Sequence, residues 1–254
     1  MKGKYPILEY DASKHAIIEP DMVIPKFDVP EHCVLFFSND LVNKLKNDGK
    51  LRHITDLHSC MGLHPIYEID FNNKRIALFH PGIGSPLAAG LFEEAIAMGM
   101  NRFIACGGAG VLDKNIAVGH LIIPTSAIRD EGTSYHYIEP EREVEPSKEA
   151  VEALIATLKK HKCKYLLSKT WTTDAIYRET RQKAEMRKSE GCLTVEMECS
   201  ALCAVARFRG VKFAQLLYGG DDVSCEEWDP RKTKDRLPIH EKILWLAIEA
   251  CSIL

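Results

Sequence analysis

The chain has 254 residues, 46% of them hydrophobic, enough to enclose one large core, and an α/β chain of this length is expected to form a single domain over 1–254. With 33 basic and 36 acidic residues the formal charge is −3 and no long basic block occurs, which excludes nucleic acid or an anionic membrane as a partner drawn by bulk charge. Apolar runs stay short of the ~20 residues that span a bilayer, and nine cysteines with no CxxC pair and no secretory signal ahead of them predict reduced thiols, no metal site and a cytoplasmic location.

Residues 1–30 are punctuated by Pro6, Pro20, Pro25 and Pro30 and are expected to form an extended N-terminal arm. His32–Phe37 is a short apolar run. It is followed by Ser38-Asn39-Asp40 and then by Leu41, Val42 and Leu45 at helical spacing, the order of strand, N-cap and helix. Residues 66–71 and 75–79 predict a hairpin about Asn72-Asn73-Lys74. The second strand runs into Gly82-Ile83-Gly84-Ser85, after which Leu87, Leu91 and Ala95 mark a helix ending near Gly99. Residues 102–106 predict a buried strand closed by a glycine turn, Gly107-Gly108-Ala109-Gly110.

Further along, 120–123 reads as a strand, 147–160 as a helix, and 211–218 as a strand ending in Gly219-Gly220-Asp221-Asp222. The stretch 239–254 closes as a helix. Strands alternating with helices predict a mostly parallel α/β sheet whose ligands sit beyond the carboxyl ends of its strands. That rule collects Ser38-Asn39-Asp40, Gly82–Ser85, Gly107–Gly110 and Gly219–Asp222 on one rim, where glycine lets backbone amides approach a ligand. Neither a dinucleotide fingerprint nor GxxxxGK[ST] is present, so no dinucleotide cofactor or nucleoside triphosphate is indicated.

Chemistry is concentrated in Val195-Glu196-Met197-Glu198. Two carboxylates flanking a thioether suit a polyol, with one facing the ligand and the other bracing the backbone. Asp221 and Asp222 fall at a strand end, where a shielded carboxyl has a raised pKa and can donate a proton. Arg129 reads as an ion-pair partner and His136 as a packing or wall residue.

Taken in order, Gly82–Ser85, Gly107–Gly110, Val118–Ile123, Arg129–Gly132, Thr172–Tyr177, Val195–Glu198 and Gly220-Asp221 resemble the nucleoside phosphorylase and nucleosidase superfamily. The branch is that of uridine phosphorylase and the hexameric purine nucleoside phosphorylases. The resemblance implies a nucleoside phosphorylase-like fold, α/β, with a mixed, mostly parallel, partly barrel-like sheet flanked by helices. It implies scission of an N-glycosidic bond, with Glu198 on the ribose hydroxyls, Met197 beneath the sugar, Glu196 beside them, and Asp221 as the acid at purine N7. Ala109, Gly110, Ile176, Tyr177 and Val195 would line the base pocket. It also implies a homo-oligomer, a dimer or a hexamer. The positions at which uridine phosphorylases read uracil align with Thr180 and Gln182, which favours purines unless Arg178 or Arg181 restores a pyrimidine contact.

The phosphate site departs from that pattern. The family's arginines and hydroxyl align with Leu41, Ala105, Gly108 and about Gly62, none of which carries charge. Inorganic phosphate, the expected co-substrate with no other cofactor, is then left to the amides of Gly84, Ser85 and Gly108, aided by Ser38. The leading expectation is phosphorolysis of a purine or related ribonucleoside to base and ribose 1-phosphate. The alternatives are a hydrolytic nucleosidase on the same fold, uridine phosphorylase-type specificity, and a non-catalytic nucleoside-binding homologue.

Overall fold

The computed structural model describes residues 3–231 and 236–254. In chain order its elements are α1 (Pro20–Val23), β1 (His32–Phe36), α2 (Asn39–Asn47), β2 (Arg52–Ser59), β3 (Gly62–Phe71), β4 (Lys74–Phe79), α3 (Ser85–Met98), β5 (Arg102–Val111) and β6 (Leu121–Asp130), continuing with β7 (Glu143–Val144), α4 (Lys148–Lys160), β8 (Tyr165–Thr173), α5 (Arg181–Ser189), β9 (Cys192–Glu196), α6 (Cys199–Arg209), β10 (Lys212–Asp222) and α7 (Leu237–Ser252).

The strands run in the order β10-β6-β8-β9-β5-β1-β4-β3-β2, and an additional β10–β5 pairing joins the fifth strand of that path to the first. Five strands therefore close on themselves, β7 pairs beside them on β6, and the remaining four extend as an open wing, the partly barrel-like, mixed sheet. Among the described residues five pairings are parallel and five antiparallel, so the parallel share is half rather than most.

β1 is buried on both sides. Val34 and Phe36 pack into the core that includes residues of α2, α4 and α7, whereas Cys33 and Leu35 pack into the core that includes residues of α3 and α6. This two-sided burial is why its sequence is an unbroken apolar run. α6 is apolar all round, with every residue from Cys199 to Ala206 buried, the pattern of a helix enclosed by other elements. All nine cysteines are free, and no described helix is long and apolar enough to cross a membrane.

The N-terminal arm is extended apart from a single turn at Pro6–Leu8 and the short α1. Gly82–Gly84 turns the chain from β4 into α3, but the other two glycine clusters are not turns. Gly107–Gly110 lies inside β5 and Gly219–Asp222 inside β10, paired to one another across a register shift between Gly219 and Asp222. Glycine is needed there for close approach: a Cβ on Gly108 would stand 2.9 Å from the Tyr218 ring, and one on Gly219 would stand 2.9 Å from the Ala117 carbonyl oxygen. β2, β8 and α5 have no counterpart among the predicted elements. β2 is an edge strand with one buried residue, Leu57, and α5 is strongly polar, so neither carries a periodic apolar signal.

Candidate active site

β9 ends at Glu196 and the chain turns at Met197 into α6. Glu196 holds that turn. Its Oε1 accepts the Thr172 hydroxyl at 2.6 Å, and its Oε2 accepts the backbone N–H groups of Glu198 and Cys199, each at 2.7 Å. Both oxygens of Glu196 are thus spent on β8 and on the first turn of α6, so it braces the backbone where ribose contact was expected. Glu198, 6% exposed, points the other way and its Oε1 accepts the Gly84 N–H at 2.6 Å. Burial pushes Glu196 up to about 8, helped by the charge of Glu198, and burial pushes Glu198 up to about 7 against the amides of Gly84 and Met197.

A cavity of about 320 Å³ opens over this turn. Its wall contains Gly108, Ala109 and Gly110 of β5, Val195 and Glu196 of β9, Met197, Glu198, Ile176, and Gly220 and Asp221 of β10. These are most of the residues expected in the site, drawn from four segments scattered over more than a hundred positions. Gly108 is exposed although it sits inside a strand, so its backbone faces the cavity. Asp221 Oδ2 accepts the Trp228 indole N–H at 2.7 Å.

Asp222 does not share the role expected of it. It is 2% exposed, and burial alone would raise its carboxyl, but donations from the Ser224 hydroxyl and amide and the Cys225 thiol, with the charge of Arg231, hold it below the usual range. It is a structural carboxylate.

Four further expectations change. Tyr177 is 94% exposed and borders a neighbouring cavity of about 740 Å³, which shares Ile176, Glu179 and Asp221 with the first. Gly84 spends its amide on Glu198, and the Ser85 hydroxyl donates to the Met197 carbonyl at 2.7 Å. Ser38 occupies the N-cap position of α2 but makes no cap bond; its hydroxyl pairs with His240 Nδ1 at 2.9 Å, and His240 Nε2 pairs with the Tyr218 hydroxyl at 2.9 Å. Gly108 lines the smaller cavity, whereas Gly84, Ser85 and Ser38 do not.

Arg129 is 4% exposed and binds the Ser134 hydroxyl and the Glu139 carbonyl, with Tyr135 stacked on it, so it ties a loop down rather than forming an ion pair. His136 is exposed and borders a separate cavity beside the arm. Thr180 caps α5 by accepting the Lys183 N–H, Arg181 donates to the Cys225 carbonyl, and Gln182 and Arg178 are exposed.

The cavity also holds Phe37, Ile83, Glu179, Gln215 and Arg236, none of which had been singled out. Glu179 is half-buried and lies between the two cavities. Burial, reinforced by the charge of Asp221, pushes its carboxyl up to about 7. Arg236 sits just before α7 and donates to the Pro230 carbonyl, and its charge opposes the burial that raises the Tyr218 hydroxyl. Glu179 carried a detectable signal, a lone acid just after the Ile176-Tyr177 segment. Gln215 and Arg236 carried none, because a polar residue in a strand and an arginine before a helix are both commonplace.

The sequence pattern of the phosphorylase superfamily matches residues 32–240. A guanosine phosphorylase of Halorubrum lacusprofundi is 24% identical over 246 residues, spanning 91% of this chain and 98% of that protein. Among solved structures, the purine nucleoside phosphorylase of Toxoplasma gondii in complex with immucillin-H superposes with a TM-score of 0.76 at 18% identity, covering 88% of this chain and 91% of that one. An AMP nucleosidase of Bacteroides thetaiotaomicron superposes with a TM-score of 0.70 at 23% identity, covering 89% of each chain. The ring of five strands, the turn at Glu196–Glu198 and a match running from β1 into α7 agree: the chain belongs to the phosphorylase superfamily.

Proposed function

We propose that the protein cleaves purine ribonucleosides by phosphorolysis, yielding a purine base and ribose 1-phosphate. The observation that carries this reading is the convergence of Glu198, Met197 and Asp221 on one cavity from the β9–α6 turn and β10. Glu198, anchored by Gly84, accepts the ribose hydroxyls and Met197 packs beneath the sugar. A phosphate oxygen bonds to C1′ as the C1′–N bond breaks, and the bonding pair leaves with the base. Asp221 hydrogen-bonds purine N7 and passes it the proton that the departing base takes. The near full-length likeness to a guanosine phosphorylase supports the purine reading.

Glu179 is the group best placed to read the base. Its ionised carboxylate accepts two N–H groups, which matches the adjacent N1–H and 2-amino group of guanine. A homo-oligomer in the cytoplasm belongs to the same proposal. It is supported by the nine free thiols and by the exposed Ile17, Ile18, Met22 and Val23 on the arm.

The test is a panel of nucleosides incubated with and without inorganic phosphate. Phosphate-dependent release of guanine with ribose 1-phosphate is expected. Release of free ribose at the same rate without phosphate overturns phosphorolysis in favour of hydrolysis.

A further inference from the structure

Gln215 is 2% exposed, lies in the wall of the substrate cavity, and has a buried Oε1 with no hydrogen-bond partner among the described residues. A buried amide oxygen left unpaired is costly, so such a side chain in a cavity wall calls for a partner that comes with the ligand. Gln215 stands in β10, the strand paired with β5, which brings Gly108 into the same cavity wall.

Arg236 supplies the charge from elsewhere. It lines the same cavity as Gln215 and Gly108, and a Cβ on Gly220, in the same wall, would lie 3.8 Å from its Nη1. The bond to Pro230 leaves part of the five-donor guanidinium for a ligand.

We propose that Gln215 and Arg236 form the seat of the attacking inorganic phosphate, with the backbone of Gly108 as its floor. The P–O–H of hydrogen phosphate donates to Gln215 Oε1, and its unprotonated oxygens accept from the Arg236 guanidinium. This rests on the phosphorolytic reading and replaces the glycine-loop amides as the anion site.

The experiment measures initial rates with guanosine while phosphate is varied, for the unaltered protein, Arg236→Ala, Arg236→Lys and Gln215→Leu. Each of Arg236→Ala and Gln215→Leu is expected to raise the KM for phosphate at least tenfold while the KM for guanosine moves less than twofold, and Arg236→Lys is expected to recover part of the loss. Gln215 is buried, so Gln215→Asn, which keeps an amide, is assayed beside it and melting curves confirm folding; Arg236 is partly exposed and tests the seat independently. Phosphate-dependent turnover with the phosphate KM unchanged in Arg236→Ala and in a folded Gln215 variant overturns the seat alone. Turnover independent of phosphate in the unaltered protein overturns the phosphorolytic reading beneath it.

Discussion

Glu198 Oε1 accepts the Gly84 amide at 2.6 Å, a bond that spans 114 residues of sequence and locks the start of α3 to the start of α6. The carboxylate that should grip the sugar is thereby oriented by the backbone of another helix. Glu198→Gln keeps an oxygen for Gly84 but offers a neutral amide to the ribose, and nucleoside kcat/KM is expected to fall at least ~100-fold, about 2.7 kcal/mol of transition-state binding. Steady-state kinetics on guanosine with intact melting behaviour checks this; unchanged kinetics removes Glu198 from the ribose site.

The same residue predicts a pH dependence. The carboxyl of Glu198 ordinarily titrates near 4.5 and is pushed up to about 7 by burial. The folded protein thus holds a proton that the unfolded chain has released, so this group's contribution to stability is largest below about 4.5 and declines as pH rises to about 7. Activity runs the opposite way, because the ribose hydroxyls need the ionised form. The kcat/KM for nucleoside should rise through pH 7, and Glu198→Gln should melt higher than the unaltered protein at pH 8. A flat melting difference between pH 5 and pH 8 contradicts this.

Glu196 should matter to the fold rather than to the sugar. Removing its carboxylate strands two backbone N–H groups and the Thr172 hydroxyl. At ~1–3 kcal/mol for each buried donor left unpaired, partly relieved by water, Glu196→Ala is expected to cost about 3 kcal/mol in urea unfolding. Thr172→Val, which removes one donor to Glu196 and the acceptor of the Ser200 N–H, should cost about half as much.

Gly108→Ala tests the close packing of β5 and β10. The new methyl would stand 2.9 Å from the Tyr218 ring and hydroxyl, forcing the ring to shift and loosening its bond to His240. A loss of about 1–3 kcal/mol is expected, as for overpacking generally, and Tyr218→Phe should relieve only the part due to the hydroxyl. Equal stability of Gly108→Ala and the unaltered protein would mean that the ring moves freely.

Glu179→Gln tests base choice. Glutamine offers one donor and one acceptor where the carboxylate offers acceptors only, so it no longer matches the paired N–H groups of guanine. At pH 8 the ratio of guanosine to adenosine kcat/KM should drop about tenfold or more, equivalent to about 1.4 kcal/mol. An unchanged ratio, with both substrates still turned over, assigns base recognition to other residues.

By itself the sequence determined the class of fold and singled out the carboxylates of the β9–α6 turn. The apolar runs of β1, β5 and β10 are legible because strands buried on both faces carry no polar alternation. Val195–Glu198 and Asp221 stood out because carboxylates at strand ends are local features. Polar elements such as β2 and α5 left no such trace, and Gly107–Gly110 looked like a turn because composition does not separate glycine needed for bending from glycine needed for contact. Only the tertiary structure decided which of the two glutamates faces the cavity, since that depends on Thr172 and Gly84 arriving from distant strands. It alone brought Glu179, Gln215 and Arg236 to the same wall, because side chains spread from 179 to 236 become neighbours only when the β5–β10 pairing closes the ring.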